Sequence, residues 1–216
     1  MGIASGTQPA PPAHLNTTWY LDLNDIARHS SWAHGFMSAY ALYGGLLALA
    51  LLTVLGWWLA RSRPEAPATV AAVVWAGGAV VIALGLNQIV SHAVAEARPY
   101  AVLPGVEVLV AKAHDFSFPS DHATMAGAFI VGLFLFDRRY GLVALLLGLL
   151  LGFSRVYVGA HYPGDVVAGF LLGGAVAGLG YLAIVPPLRG LTSRLATTPL
   201  RLLVQSAPAP APRPEP

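Results

Sequence analysis

Three groups of polar residues in this sequence carry side chains that can bind the oxygens of an oxyanion and attack its central atom. They are Arg98-Pro99, then Phe118-Pro119-Ser120-Asp121-His122, and then Ser154-Arg155 with His161 and Asp165. Arginine stays protonated and grips an oxyanion through two N–H groups at once, so the two arginines predict a phosphate site. Two histidines beside such a site indicate phosphoryl transfer rather than binding alone.

The two histidines are expected to divide the work between a nucleophile and a proton donor. Asp165 lies four residues after His161, close enough to hold one imidazole nitrogen and leave the other as a lone-pair nucleophile. We therefore expect His161 to attack phosphorus and form a phosphohistidine. His122 would protonate the leaving oxygen and then activate water, while Arg98 and Arg155 hold the phosphate oxygens.

The starts of two helices are expected to add backbone donors to the same site. Ser120 is a candidate N-cap for one helix, and Pro163 is a candidate first-turn proline for another. Their free N–H groups and positive dipole ends would face the phosphate. Ser120, Asp121 and Ser154 are all candidate phosphate-binding residues. Because arginines and helix ends stabilise the charge, we expect neither a metal nor another cofactor.

Composition places these groups in a membrane protein. Of 216 residues, 56% are hydrophobic and 10% are charged, whereas soluble domains are about a quarter charged. Five stretches without Asp, Glu, Lys or Arg are candidate spans: 35–60, 66–95, 122–136, 140–154 and 166–188. A span needs about 20 apolar residues, so the third must begin within Phe118 to Asp121 and the fourth must continue through Arg155 towards Gly159. The predicted fold is an all-α polytopic transmembrane helix bundle of about five spans.

The chain outside these spans divides at two predicted boundaries. Residues 1–18 are predicted to be a disordered lead-in, residues 19–190 a membrane-embedded catalytic domain, and residues 191–216 a cytoplasmic basic and Pro/Ala-rich tail. Trp19 to His34 mixes apolar and charged residues, which favours a short interfacial helix before the first span. The spaced glycines Gly148/Gly152, Gly169/Gly173 and Gly174/Gly178 predict close helix packing in the last two spans.

The basic residues predict the orientation of the spans. Eight arginines fall on one face: Arg61, Arg63, Arg138, Arg139, Arg189, Arg194, Arg201 and Arg213. The other face receives Arg28, Arg98, Lys112 and Arg155. Because cytoplasmic loops are enriched in basic residues, the face with eight arginines is predicted to be cytoplasmic. All three polar groups then lie at the same extracytoplasmic face.

Charge and cysteine content exclude several other classes of protein. The net charge is only +2, which excludes a nucleic-acid binder with a broad basic field. The sequence contains no cysteine, which excludes disulfides, thiol nucleophiles and cysteine-ligated metals. The expected partners are the bilayer and a phosphate-bearing substrate, and no oligomeric state can be read from the sequence.

The third polar group resembles the third signature of the type 2 phosphatidic acid phosphatase family of membrane lipid phosphatases: Ser-Arg, five residues, His, three residues, Asp. Arg98-Pro99 resembles the end of the family's first signature, and Pro119-Ser120-Asp121-His122 resembles its second. The resemblance covers about residues 87–168. It implies a phosphohistidine mechanism and a lipid phosphate ester or diphosphate substrate.

Two positions depart from the family pattern. The first signature has a lysine seven residues before its arginine, where this sequence has Ser91. Seven residues are two helical turns, so Ser91 shares a face with Arg98 and a neutral contact to phosphate is possible there; Lys112 is a candidate replacement for the charge. The second departure is Asp121, where the family signature has glycine. That form resembles the bacterial branch acting on undecaprenyl diphosphate, and we expect the Asp121 carboxylate to point at a cation or a helix N–H.

The resulting prediction is an extracytoplasmic phosphatase in a bacterial-type cell membrane, converting an undecaprenyl-type diphosphate to the monophosphate in cell-wall carrier-lipid recycling. The alternative within the enzymes is a phosphatase for phosphatidic acid or phosphatidylglycerol phosphate. A related possibility is a haloperoxidase-like site, because that fold shares the phosphate-type pocket. The alternatives of another class are an anionic-lipid transporter, which needs polar groups near the midplane with access from both sides, and an inactive scaffold of the same fold.

Overall fold

The structure is a computed structural model, which describes residues 14–206. Every regular element in this range is helical, which confirms the all-α prediction. The α-helices are α1 (His14–His29), α2 (His34–Ala39), α3 (Gly45–Ala60), α4 (Ala66–Val94), α5 (Pro99–Val102), α6 (Asp121–Phe136), α7 (Arg138–Tyr157) and α8 (Pro163–Leu195). A π-helix, Tyr40–Gly44, joins α2 to α3, and short 3₁₀ helices lie at Ser31–Ala33 and Pro199–Leu203. The predictions for residues 1–13 and 207–216 lie outside the described residues.

The five predicted spans all appear as helices. Within residues 14–206, four segments are long and apolar enough to cross a membrane, and α6 is shorter. Its 16 residues rise about 24 Å, less than the hydrocarbon thickness of about 30 Å. Helix α6 contacts α3, α4, α7 and α8 and buries most of its residues. It is therefore surrounded by protein, and its length does not have to match the lipid. As predicted, α7 continues through Arg155.

Backbone-to-backbone contact joins α6 to α8 at Gly127 and Gly173, and we call this contact the glycine seam. A Cβ added to Gly173 would lie 1.9 Å from the Thr124 carbonyl oxygen, and one added to Gly127 would lie 2.4 Å from the Phe170 carbonyl oxygen. Only glycine permits this approach, which confirms the predicted role of the Gly169/Gly173 pair. The seam also brings the start of α6 to the start of α8, where the Ser120 N–H donates to the Asp165 carbonyl at 3.1 Å.

Helix α1 lies across the end of the bundle where α8 begins. It starts at His14, so the predicted boundary after residue 18 is wrong by several residues. The Asn24 side chain exchanges two 2.8 Å hydrogen bonds with the Glu107 backbone, while Tyr20 packs edge-on against Tyr162. By contrast, the neighbouring Trp19 is exposed. This two-faced pattern is the one expected of the predicted interfacial helix.

The chain after residue 190 remains part of the folded bundle, in contrast to the predicted tail. Helix α8 continues to Leu195, and the following segment returns to the ends of α3 and α4. The Trp57 indole donates to the Leu203 carbonyl at 2.9 Å, and Val204 is buried with Ala60 and Val70. The basic residues near position 190 therefore do not mark the end of the folded chain.

The two ends of the bundle carry the basic residues as predicted. At one end Arg63 pairs with Asp137 at 2.7 Å, and Thr192 bonds to the Pro67 carbonyl at 2.7 Å. These contacts bring together the loops that carry seven of the eight arginines assigned to one face; the eighth, Arg213, lies outside the described range. The polar groups containing Arg98 and Arg155 lie at the opposite end.

Candidate active site

His161 lies in the segment between α7 and α8 and is 2% exposed. Its Nδ1 is 2.8 Å from the Ser117 carbonyl oxygen, and the Arg98 guanidinium approaches its Nε2 at 3.1 Å. Arginine can only donate hydrogen bonds, so Nε2 is the accepting nitrogen and Nδ1 carries the proton. These contacts assign the tautomer in which Nε2 has a free lone pair, as a nucleophile requires.

The surroundings of His161 keep its imidazole neutral. Burial lowers the pKa of His161 to about 4, the Asp165 carboxylate opposes this change, and the charges of Arg155 and Arg98 reinforce it. A charged imidazole here would be both desolvated and next to two guanidiniums. The nitrogen facing Arg98 is therefore unprotonated at neutral pH.

Asp165 is fully buried and caps the first turn of α8. Its Oδ2 accepts hydrogen bonds from the Ser117 hydroxyl at 2.5 Å and from the Tyr162 N–H at 2.9 Å. The same oxygen is 3.5 Å from Nδ1 of His161, farther than the Ser117 carbonyl. Spacing therefore predicted the proximity of Asp165 and His161, but not that Ser117 contacts both.

The expected backbone donors at the start of α8 are already occupied. Pro163 takes the first helical position, as predicted. However, the Gly164 N–H donates to the Asn16 side chain at 2.8 Å, and the Tyr162 N–H donates to Asp165. These two donors are directed at protein acceptors, so the prediction that they face phosphate is wrong. The sequence did not indicate that α1 would place Asn16 here.

Arg98 follows α4 and is held in place by three contacts. Its Nε donates to Asp115 at 2.8 Å, and one terminal nitrogen donates to the Ala160 carbonyl at 3.0 Å and faces His161. Partial burial would raise the pKa of Asp115, but the hydrogen bond and charge of Arg98 outweigh it and hold that pKa below its usual value. Asp115 therefore orients Arg98, a role that no spacing in the sequence indicated.

Arg155 reaches the site from the last turn of α7. It is 6% exposed, and one terminal nitrogen donates to the Ala41 carbonyl at 3.0 Å. Its buried Nε has no hydrogen-bond partner among residues 14–206. Arg155 and His122 line the same cavity, so a guanidinium with an unused donor lies beside the candidate proton donor.

The cavity has two lobes that share Arg98, Asp115, Asp121 and His161. The first, which we call the arginine lobe, has a volume of about 180 Å³ and is also lined by Arg155, His122, Tyr100 and Leu42 among others. The second, which we call the serine lobe, has a volume of about 260 Å³ and is also lined by Gln88, Ser91, His92, His114, Phe116 and Pro119. The structure thus brings together six of the predicted site residues: Arg98, Arg155, His122, His161, Asp121 and Ser91.

Three other candidates do not line either lobe. The Ser154 hydroxyl donates to the Leu151 carbonyl of its own helix at 2.7 Å and is buried. Lys112 is exposed, with its ammonium 5.8 Å from the centre of the Tyr100 ring. Ser120 occupies the N-cap position of α6, as predicted, but its buried hydroxyl makes no capping bond. Phosphate binding by these three residues remains a prediction.

Asp121 points towards α4 rather than towards a cation or a helix N–H, so that expectation is wrong. Its Oδ1 accepts hydrogen bonds from the side-chain amides of Asn87 and Gln88. Asn87 also donates to the Pro119 carbonyl at 3.2 Å and accepts from Thr124 at 2.8 Å. These bonds hold the turn before His122 against α4. The two amides donate hydrogen bonds to the Asp121 carboxylate, and this reduces the repulsion expected between that carboxylate and a bound phosphate.

Sequence reasoning missed Ser117, Asp115 and two cavity histidines. His92 and His114 belong to no motif in the sequence, yet both line the serine lobe. The His92 imidazole also bonds to the Gln88 carbonyl at 2.7 Å. A weak signal existed for His92, because it follows Ser91 on the helix that leads to Arg98.

The longer helices are long enough to cross a membrane, and the histidines and arginines of the site lie together at one end of the bundle. These features define a membrane protein with a site suited to phosphate chemistry. The family model of the PAP2 superfamily matches residues 72–187. The chain therefore belongs to the PAP2 superfamily, and it is a membrane phosphatase, a hydrolase of phosphate esters.

Individual relatives and a solved structure agree with this assignment. The chain is 34% identical over 164 residues to a Bacillus licheniformis protein named bacitracin transport permease protein BcrC, covering 74% of this chain and 76% of the relative. It is 30% identical over 158 residues to undecaprenyl-diphosphatase BcrC of Bacillus subtilis, covering 73% and 78%. The crystal structure of a PAP2-type phosphatidylglycerolphosphate phosphatase from Bacillus subtilis has the same fold, with a TM-score of 0.57 and 20% identity over 85% of this chain and 89% of that one.

Proposed function

We propose that this phosphatase converts an undecaprenyl-type diphosphate to the monophosphate through a phosphohistidine, as a step in recycling the carrier lipid of cell-wall synthesis. The observation that carries the mechanism is the lone pair of His161 Nε2, which faces Arg98 in a cavity also lined by Arg155 and His122. The similarity to the undecaprenyl-diphosphatase of Bacillus subtilis supports the choice of substrate.

In the first step, Nε2 of His161 attacks the terminal phosphorus. The N–P bond forms as the bond between phosphorus and the bridging oxygen breaks. His122 begins this step protonated, because the negative charge of the bound diphosphate offsets the positive charge of Arg155, and it donates its proton to that leaving oxygen. The lipid monophosphate departs. The N–H groups of Arg98 and Arg155 stabilise the charge on the transferring phosphoryl oxygens, and Arg98 exchanges its contact with Nε2 for one with phosphate.

In the second step, water attacks the phosphohistidine. His122, now neutral, takes a proton from the water as its oxygen bonds to phosphorus. The N–P bond breaks, inorganic phosphate is released, and the electron pair returns to Nε2 of His161. Both histidines regain their starting protonation states, so the cycle needs no external proton donor.

The shape of the cavity supports a headgroup larger than one phosphate. Its two lobes meet at Arg98 and His161, so there is space on both sides of the nucleophile. The arginine lobe is also lined by apolar residues, including Leu42 and Val110, beside which a prenyl chain can lie. Ser91, where the family signature has lysine, adds volume to the serine lobe.

We place this site on the extracytoplasmic face of the cell membrane, because the opposite end of the bundle carries the arginines that favour the cytoplasm. The test is a single cysteine at Lys112, an exposed position at the site end. The chain has no native cysteine. An impermeant thiol reagent should label Lys112→Cys in intact cells, and labelling only after lysis would reverse the orientation.

The experiment that tests the function measures phosphate release by the purified, detergent-solubilised full-length chain. Undecaprenyl diphosphate, phosphatidic acid and phosphatidylglycerol phosphate are compared at equal concentration. Faster release from the diphosphate supports the proposal; faster release from either phospholipid overturns the substrate, and release from none supports a transporter or an inactive scaffold.

Variants test the roles of the residues in the same assay. His161→Ala should abolish release, whereas Asp165→Asn should leave weak activity because Asp165 does not touch phosphorus. His29→Ala is the matched control, since His29 lies on the exposed surface of α1. Full activity in His161→Ala would overturn the phosphohistidine mechanism whatever the substrate.

A further inference from the structure

Ser117 lies in the loop before α6 and has all its polar groups engaged at the site. It is fully buried, and its N–H donates to the Glu96 carbonyl at 2.8 Å. Its carbonyl accepts from Nδ1 of His161 at 2.8 Å, and its hydroxyl donates to Asp165 at 2.5 Å. One residue therefore connects the end of α4, the candidate nucleophile and the buried carboxylate.

We propose that Ser117 is a positioning residue that transmits the effect of Asp165 to His161. The proposal rests on the role of His161 as the nucleophile but not on the identity of the lipid. Asp165 Oδ2 is 3.5 Å from the imidazole and already accepts two shorter bonds. The group that receives the His161 proton at hydrogen-bond distance is the Ser117 carbonyl.

The geometry explains how this arrangement favours attack on phosphorus. The Ser117 carbonyl keeps the proton of His161 on Nδ1, which leaves the lone pair on Nε2. The bond from the Ser117 hydroxyl to Asp165 fixes the position of that carbonyl. Without the hydroxyl, the Ser117 backbone loses one of its two anchors, and the imidazole can rotate or adopt the tautomer that carries its proton on Nε2. That tautomer cannot attack and cannot accept from Arg98.

Ser117→Ala removes the hydroxyl and keeps the carbonyl. Because hydrogen bonds to charged groups contribute about 1.5–3 kcal/mol, kcat should fall about tenfold to a hundredfold. KM should stay within about twofold, since Ser117 does not line the cavity. Ser117→Thr keeps a hydroxyl and should recover most of kcat. The substrate is whichever lipid phosphate the wild-type chain hydrolyses fastest, so failure of the diphosphate assignment does not affect this test.

A double-mutant cycle separates positioning from a merely structural role. If Ser117 and Asp165 act through one another, adding Ser117→Ala to Asp165→Ala should lower kcat no further. Independent losses that multiply would overturn the proposal, as would a Ser117→Ala enzyme with unchanged kcat or with a loss confined to KM.

Thermal unfolding of each variant is recorded in the same detergent. Thr192→Val is the control, because it also removes a buried hydroxyl that donates a hydrogen bond, in this case to the Pro67 carbonyl at the opposite end of the bundle. It should change unfolding without changing kcat. If Ser117→Ala does not fold, Ser117→Cys replaces it; its thiol is a much weaker donor, so the same loss of kcat is expected, and wild-type kcat would overturn the proposal.

Discussion

The low pKa of His161 makes a quantitative prediction about the pH dependence of hydrolysis. The neutral imidazole is the nucleophile, so the acid limb of kcat/KM, where protonation of His161 removes activity, should lie at the pKa of His161. The opposite limb, at higher pH, is set by loss of the proton that His122 must donate. With that pKa at about 4, about 97% of His161 is neutral at pH 5.5, whereas a histidine with an ordinary pKa near 6.5 would be about 9% neutral. The two cases differ about tenfold in rate at pH 5.5.

The assay is kcat/KM in detergent between pH 3.5 and pH 7. The substrate phosphate also ionises, and its pKa is measured separately by ³¹P NMR and included in the fit. Arg155→Gln removes one of the charges that lower the pKa of His161, so its acid limb should move to higher pH. Arg139→Gln, at the opposite end, should leave the limb unchanged. A wild-type limb near pH 6.5 would refute the argument that burial and the arginines hold His161 neutral.

The same group affects stability, and the direction follows from linkage. The folded pKa lies below the unfolded value, so the unfolded chain binds more protons between pH 6.5 and pH 4. Stability is therefore present above this window and is lost as the pH falls through it. A difference of about 2.5 pKa units corresponds to about 3 kcal/mol for a buried group. Rates below pH 5 must be initial rates, taken before unfolding.

Three further predictions follow from contacts at the site and in the bundle. Arg98→Lys removes the guanidinium that contacts Asp115 and His161 at the same time, and kcat/KM should drop at least about tenfold. Gly173→Val should prevent stable folding because even a Cβ would lie 1.9 Å from a backbone oxygen, whereas Gly77→Val, with nothing within 4 Å, should purify normally; the readout is thermal unfolding. EDTA should leave phosphate release unchanged, and inhibition reversed by Mg²⁺ would show that a cation takes part.

The membrane spans could be predicted from the sequence, and so could the cavity residues that belong to the three polar groups, because both are marked by short stretches of sequence. Runs of apolar residues predict membrane helices, and the positive-inside rule brought distant polar groups to one end. The residues that hold this site in place were harder to predict. Ser117 and Asp115 contact His161 and Arg98 only because of the path taken by the loop between α5 and α6. No periodicity in the sequence specifies that path.

Predictions about free helix ends failed for a related reason. The start of α8 was expected to offer N–H groups to phosphate, because a first-turn proline and an acidic residue mark a helix N-terminus. Whether those donors remain free depends on what packs above them. Asn16 and Gly164 are 148 residues apart in the sequence, and such a contact can be found only once the position of α1 in the fold is known.

The close backbone contact between α6 and α8 should limit how far changes in the bilayer reach the site. A membrane that thickens or thins acts on lipid-exposed helix faces, which respond by tilting. Side chains between two helices can yield under such a load, but two backbones in direct contact at Gly127 and Gly173 have no compressible layer between them. The distance from the turn before His122 to the first turn of α8 should therefore change little with bilayer thickness, and we expect the same catalytic geometry in thinner and thicker membranes.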